Sequence, residues 1–336
     1  MTPFDTPSIA PQDDSAHDLA GDLAGDLWAH SLPLREIAAL AGHHDQGQAF
    51  SPVNIIQPAI DQPPAPLVLS CPHAGRIYPA AFIAASAVSL SNLRGLEDFA
   101  VDRLVAGISD AVPGINIVTI SNPIARAYLD VNRPTTALDY TMFSRPFPAE
   151  AATPSRQVRA GYGLLPRLTA SREVIHSQLL SVDDASARIN LVHQPYHAAL
   201  NQVLDAAYAT HGHCLLLDCH SMPSHDQLNK PLPDIILGDL HHSTLDRETG
   251  RRLEDFMSNA GFSSAWNSPY AGGYITKAYG RASTPRQSVQ IEINRRLYMD
   301  PQQEDAAPSL NIAGAERVRA LLGGIASMLL NQQNTG

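Results

Sequence analysis

Cysteine is scarce in this chain. Three residues, Cys71, Cys214 and Cys219, are too few and odd in number for a disulfide framework, which points to a reducing cytoplasm. A basic surplus is also lacking. The formal net charge of −10 argues against a nucleic-acid binder. A local group of arginines can still hold a small anion. No window approaches the roughly 18 uninterrupted apolar residues of a membrane span. The opening stretch MTPFDTPSIAPQDDSAHD lacks the apolar segment of a signal peptide, so cytoplasmic location without a membrane is expected. There is no G-x-S-x-G for a serine nucleophile. No Walker sequence occurs, and the G-x-G at 161–163 lacks the rest of a phosphate fingerprint. No long repeat is present.

What is present is ordinary for a soluble globular protein: 336 residues, 44% hydrophobic and 17% charged. Residues 1–50 carry the short repeat DLAGDLAGDL and clusters of Pro, Asp, Gln and Gly. They read as a flexible N-terminal arm, with one short helix possible over 33–40. A single domain is expected over 51–336. Apolar runs predict strands at LVLSC (67–71), INIVTI (115–120), CLLLDC (214–219), DIILGD (234–239) and SVQIEI (288–293). Helices are expected at 96–111, 168–183, 195–210, 245–260 and 312–331. Long loops are expected at 134–166 and 267–280. Apolar strands alternating with helices predict an α/β sheet covered on both faces.

Ionisable residues collect where these strands end. LVLSC runs into His73, CLLLDC into His220, and SVQI into Glu292. Ligands of open α/β sheets bind beyond the carboxyl ends of the strands. Two neutral imidazoles and a carboxylate, with one position open, form a usual catalytic zinc set. A further carboxylate outside that set can move the proton. Any single histidine out of 14 is more often structural than a ligand; here two follow apolar strands into small, turn-prone surroundings.

The other candidates carry competing readings. His193 and His197 stand at i,i+4 in HQPYH, but Pro195 between them favours a helix boundary and a structural role there. His43-His44 and His241-His242 are adjacent pairs and read as solvated. Cys71 and Cys219 lie within apolar runs and read as small buried residues. Arg126 and Arg133 read as an arginine fork for a substrate carboxylate, against the alternative that Asp130 and Arg133 form a structural salt bridge. The loop NSPYAGGYIT (267–276), with Gly272 and Gly273, reads as a substrate wall or lid, against the alternative of a plain surface turn.

Six fragments occur in one order: CPHAGRIYP (71–79), ARAYLDVNRP (125–134), LLLDCHSMPS (215–224), DIILGD (234–239), NSPYAGGYITKAYG (267–280) and QIEINRRLYMD (290–300). Over roughly residues 65–330 the chain resembles the N-formylglutamate amidohydrolase family. That family hydrolyses N-formyl-L-glutamate to formate and glutamate in histidine breakdown. It is similar in fold to zinc carboxypeptidases and aspartoacylase-like enzymes. The resemblance therefore implies a three-layer α/β/α fold with a mixed central sheet, zinc-carboxypeptidase-like. It implies Zn²⁺, or another divalent metal, held by His73 and His220, with Glu292 as general base and acid. It also implies that Asn132 and Arg133 bind the carboxylate of a small anionic N-acyl amino acid, and that Arg126 polarises the scissile carbonyl. Gly272, Gly273, Tyr274 and Thr276 fall on the substrate side. One departure stands out. Zinc carboxypeptidases place their acidic ligand three residues after the first histidine, where this chain has Arg76. Asp98 is the preferred replacement, because related amidohydrolases carry an aspartate before an aromatic residue there; Glu97 and Asp102 are the alternatives. Other functions open to the sequence are the same chemistry on another N-acyl amino acid, and a non-catalytic anion- or metal-binding protein.

Overall fold

The structure, a computed structural model, describes residues 30–31, 52–59, 61–106, 108–145, 154–301 and 308–331. Among the described residues, nine strands are β1 (His30–Ser31), β2 (Asn54–Ile56), β3 (Leu67–Cys71), β4 (Ile77–Tyr78), β5 (Val118–Ser121), β6 (Cys214–Met222), β7 (Ile235–Gly238), β8 (Ser264–Trp266) and β9 (Arg286–Asn294). Seven of them form one sheet in the order β2-β5-β3-β6-β9-β7-β8. The central four, β5, β3, β6 and β9, run parallel. β2 and β7 pair antiparallel to their inner neighbours, and β8 follows β7, which makes the sheet mixed.

Each apolar run becomes a strand because both of its faces are covered. Val68, Ile120 and Leu216 pack towards the helix α3 (Gln194–His211) through Leu200 and Leu204. Their sequence neighbours Leu67, Leu69 and Leu217 face the opposite way. There they meet Leu104 of α1 (Val101–Val105), Leu253 and Met257 of α4 (Arg247–Asn259), and Val318 and Leu322 of α6 (Ile312–Leu330). Burying one such side chain contributes roughly 1.5–3 kcal/mol. The two stripes together hold a helix layer on each side of the sheet.

The helix expected at 168–183 does not form. The regular helix there is α2 (Val182–Arg188), capped by Ser181, whose hydroxyl accepts from the Asp183 N–H. Local side-chain bonds win upstream of it. Thr169 Oγ1 accepts from the Glu173 N–H, and Arg172 sits at φ 68°. The helix expected over 96–111 is shorter for a related reason. Ala100 adopts φ 56°, which confines the helix to α1, followed by a 3₁₀ turn at Ile108–Ala111. The loop expected at 267–280 contains a short helix, α5 (Tyr274–Tyr279). β1 pairs in parallel with β4. The helix considered over 33–40 lies outside the described residues. Among the described residues, no helix is long and apolar enough to cross a membrane.

Candidate active site

Strand register assembles the site. Ser70 of β3 pairs with Asp218 of β6, so His73 just beyond β3 lies close to His220 further along β6. His220 in turn is the register partner of Glu292 on β9. Asp98 arrives from the turn before α1, where its N–H donates to the His73 carbonyl at 3.0 Å. Asp98 Oδ2 stands 2.9 Å from His220 Nδ1 and 3.3 Å from His73 Nδ1. Ligand atoms of His73, Asp98 and His220 all lie within 4.8 Å of one another, and the three side chains are buried.

The outer ring nitrogens explain why the inner ones face this point. His73 Nε2 meets Asp130 Oδ1 at 2.7 Å, and His220 Nε2 meets Asp218 Oδ2 at 3.0 Å. A carboxylate accepts, so each Nε2 donates to its outer partner; the Nδ1 atoms face Asp98, with His220 Nδ1 at hydrogen-bond distance from its Oδ2. Asp218 is anchored by the Ser70 hydroxyl at 2.8 Å, which contacts the Tyr196 hydroxyl at 2.7 Å. His73 Nδ1 is buried and has no hydrogen-bond partner. A buried nitrogen left without a partner is costly unless something satisfies it. A divalent cation between two imidazoles and a carboxylate meets that need, and the donor set suits zinc.

Charge around the cluster is finely opposed. Burial alone would raise Asp98 and Asp130, yet both are held well below the ordinary carboxylate range. His220 and His73 do this for Asp98, and Arg133, His73 and Arg126 for Asp130. Burial would lower His220, but Asp218 and Asp98 overcome it and hold the ring well above its ordinary value. Glu292 differs. Burial pushes its carboxyl up to about 8, against the opposing pull of His220 and Arg126. Gln290 Nε2 donates to Glu292 Oε1 at 2.8 Å. A carboxyl held near neutrality can both accept and return a proton.

A model of the N-formylglutamate amidohydrolase family matches residues 65–299, about two thirds of the sequence and every residue of this cluster. The chain belongs to the N-formylglutamate amidohydrolase family. It is 27% identical over 268 residues to an N-formylglutamate deformylase of Pseudomonas putida, spanning 76% of this chain and 92% of that protein. A Pseudomonas aeruginosa N-formylglutamate deformylase is 28% identical over 271 residues, 79% of this chain and 92% of the relative. The solved N-formylglutamate amidohydrolase of Ralstonia eutropha is 31% identical, with a TM-score of 0.71, over 83% of this chain and 98% of that one. An Agrobacterium tumefaciens protein at 15% identity shares the fold, with a TM-score of 0.55.

Within this amidohydrolase framework, the acidic candidates separate. Asp102 is engaged by Arg76 through two hydrogen bonds of 3.1 and 2.8 Å. Glu97 takes the Tyr78 hydroxyl at 2.7 Å and lies 3.3 Å from Arg94. Asp98 alone of the three joins the histidine cluster.

The arginines also divide. Arg126 Nε donates to Asp130 Oδ2 at 3.0 Å. Among the described residues, its terminal nitrogens have no hydrogen-bond acceptor, so they remain available to a ligand. Arg133 is more committed. Its Nε donates to the Tyr162 carbonyl at 2.9 Å, its Nη1 donates to the Asn132 carbonyl at 2.8 Å, and its Nη2 lies 3.6 Å from Asp130. Two of its five N–H donors are committed to backbone carbonyls, which leaves three, on the terminal nitrogens, for Asp130 and a ligand. Asn132 is buried. Its Oδ1 accepts from the Ile275 N–H at 2.8 Å, and its Nδ2 lies 3.2 Å from His220 Nε2.

The glycine-rich loop closes over Asn132. A Cβ at Gly273 would overlap the Asn132 side chain, and Gly272 sits at φ 119°. Thr276 has no accessible surface, and its hydroxyl faces the Gly273 N–H at 3.4 Å. Tyr274 opens α5, near the His197 ring.

Two members of the site were not singled out from the sequence. Asp130 was weighed only as a partner of Arg133, whereas its main contact is His73. Asp218 was passed over as part of an apolar strand. It stands two residues before His220, and period-two alternation puts both on one face.

Proposed function

We propose that this chain hydrolyses the amide of N-formyl-L-glutamate to formate and L-glutamate, with His73, Asp98 and His220 holding a divalent metal. The observation that carries this reading is the buried His73–Asp98–His220 cluster with Glu292 beside it in register. The names of the relatives supply the substrate. Zinc fits the two nitrogens and one carboxylate, and when bound it supplies Lewis acidity and lowers the pKa of water.

The chain's own groups then have distinct tasks. Glu292 accepts a proton from the attacking water and returns it to the leaving nitrogen as the carbon–nitrogen bond breaks. Its burial beside Arg126 and His220 keeps that carboxyl poised for both steps. The terminal nitrogens of Arg126 donate to the carbonyl oxygen, where negative charge develops. The remaining donors of Arg133, with the Asn132 amide and the 272–274 backbone, receive the substrate carboxylate.

Glu292→Gln tests the reading. The variant keeps the shape of the site and the Asp98–histidine cluster. Zinc content should be retained while kcat on N-formyl-L-glutamate falls by about 10²–10⁴-fold. Near-normal turnover would reject Glu292 as the base. A wild-type protein that holds zinc but releases no glutamate would reject the substrate and favour another N-acyl amino acid or a binding protein.

A further inference from the structure

The two histidines of HQPYH do not join the metal cluster, yet both are buried and both are spoken for. His193 Nε2 lies 2.8 Å from the Arg133 carbonyl. His197 Nε2 lies 2.9 Å from the Val131 carbonyl. A carbonyl oxygen only accepts, so each ring donates from Nε2. The Tyr279 hydroxyl stands 2.7 Å from His197 Nδ1 and fixes the same tautomer from the other side. The rings lie 4.2 Å apart. Burial lowers both imidazoles, His197 to about 4, so two neutral rings sit side by side.

The spacing has a geometric meaning. Residues i and i+4 on one helix face reach two carbonyls of a tight turn, closed where the Arg133 N–H donates to the Asp130 carbonyl at 3.2 Å. The helix enters this face through a π turn at Ile189–His193, where the Gln194 N–H reaches the Ile189 carbonyl just before Pro195. π turns recur at functional positions.

The gripped segment, residues 130–133, carries the site's supporting side chains. Asp130 holds His73, and Asn132 touches His220 and bonds the first turn of α5. Arg133 carries the remaining free donors. α5 returns Tyr279 to His197, which closes a ring of contacts through three elements.

We propose that His193 and His197 are positioning residues that clamp segment 130–133 and thereby hold His73, His220 and Arg133 in working geometry. The catalytic part of this inference rests on the function proposed above; the clamp itself does not.

The test compares His193→Phe and His197→Phe, which keep a ring but lose the donor, with His193→Gln and His197→Gln, whose amide nitrogen can replace Nε2. Amide hydrogen exchange of a peptide spanning 126–138 reads the clamp in the metal-free protein. Zinc affinity by chelator competition and the kcat and KM on N-formyl-L-glutamate read its consequence. The Phe variants should exchange in this segment about tenfold faster or more, with the α4 and α6 peptides unchanged. Their zinc affinity should fall about tenfold or more, and the Gln variants should recover most of both. If a Phe variant does not fold, Tyr279→Phe removes only the hydroxyl that fixes the His197 tautomer; it should speed exchange in the same peptide. Unchanged exchange in the folded Phe and Tyr279→Phe variants overturns the clamp. Faster exchange in a chain whose wild type neither binds zinc nor turns over upholds the clamp and rejects the proposed function instead.

Discussion

Asp130→Asn separates a positioning role from a salt bridge. Asp130 Oδ1 accepts from His73 Nε2 at 2.7 Å and from the Asn132 N–H at 2.8 Å, while Oδ2 accepts from Arg126 Nε at 3.0 Å. An amide has one oxygen and one nitrogen. If the oxygen faces His73 and Asn132, the new NH₂ meets the Arg126 N–H, donor against donor. If it flips, the clash moves to His73 and inverts that ring's tautomer. The first arrangement costs less, so His73 stays roughly oriented but loses an ionised acceptor. Loss of such an outer-shell partner typically weakens metal binding by about 10–100-fold, or roughly 1.4–2.7 kcal/mol. Removing the charge also strands Arg126 and Arg133. Breaking a buried pair costs roughly 3–5 kcal/mol, and the lower end applies because Arg126 keeps some solvent contact. Chelator competition for zinc, with urea melts of the metal-free protein, measures both quantities. A folded Asp130→Asn protein that binds zinc within about twofold of wild type would refute the reasoning.

Two other perturbations address the loop and the fold. Gly273→Ala puts a methyl group into the Asn132 side chain, which cannot yield while it holds Ile275. We expect kcat/KM on N-formyl-L-glutamate to drop by about 10²-fold with the cluster's zinc retained; steady-state kinetics matching wild type would remove this loop from the substrate site. His176 donates to the Pro166 carbonyl at 3.1 Å, and burial lowers it from 6.5 to about 4. Between those values the unfolded chain binds the proton and the folded chain does not. The contribution of His176 to stability therefore falls as pH drops from 6.5 towards 4, by about 3 kcal/mol at most. Urea melts of wild type against His176→Gln across this window should show the difference, and parallel pH dependences would reject it.

Much of the fold was legible because strands buried on both faces must be apolar throughout. LVLSC, CLLLDC and SVQIEI carry that mark, and the structure forms β3, β6 and β9 on them. The helices α3, α4 and α6 likewise fall where apolar periodicity put them. The stretch 168–180 was misread because side-chain-to-backbone bonds, which hold it in an irregular path, leave no periodic trace. α5 was hidden in a run of glycine and aromatic residues whose helix depends on Asn132, 143 positions away in the chain.

For the site, the residue types at strand ends were enough to nominate His73, His220 and Glu292. The sequence by itself determined these strands, the chemistry they could carry and the family to which the chain belongs. It left Glu97, Asp98 and Asp102 as three carboxylates within a few positions. Only the tertiary structure decided among them, because Tyr78 and Arg76, from a segment about 20 or more positions earlier, claim Glu97 and Asp102, with Arg94 one turn before Glu97 adding to its hold. It alone brought Asp130 to His73 and set His193 and His197 against two backbone carbonyls. A side chain's partner across the fold depends on register and packing, and neither is written in its local sequence.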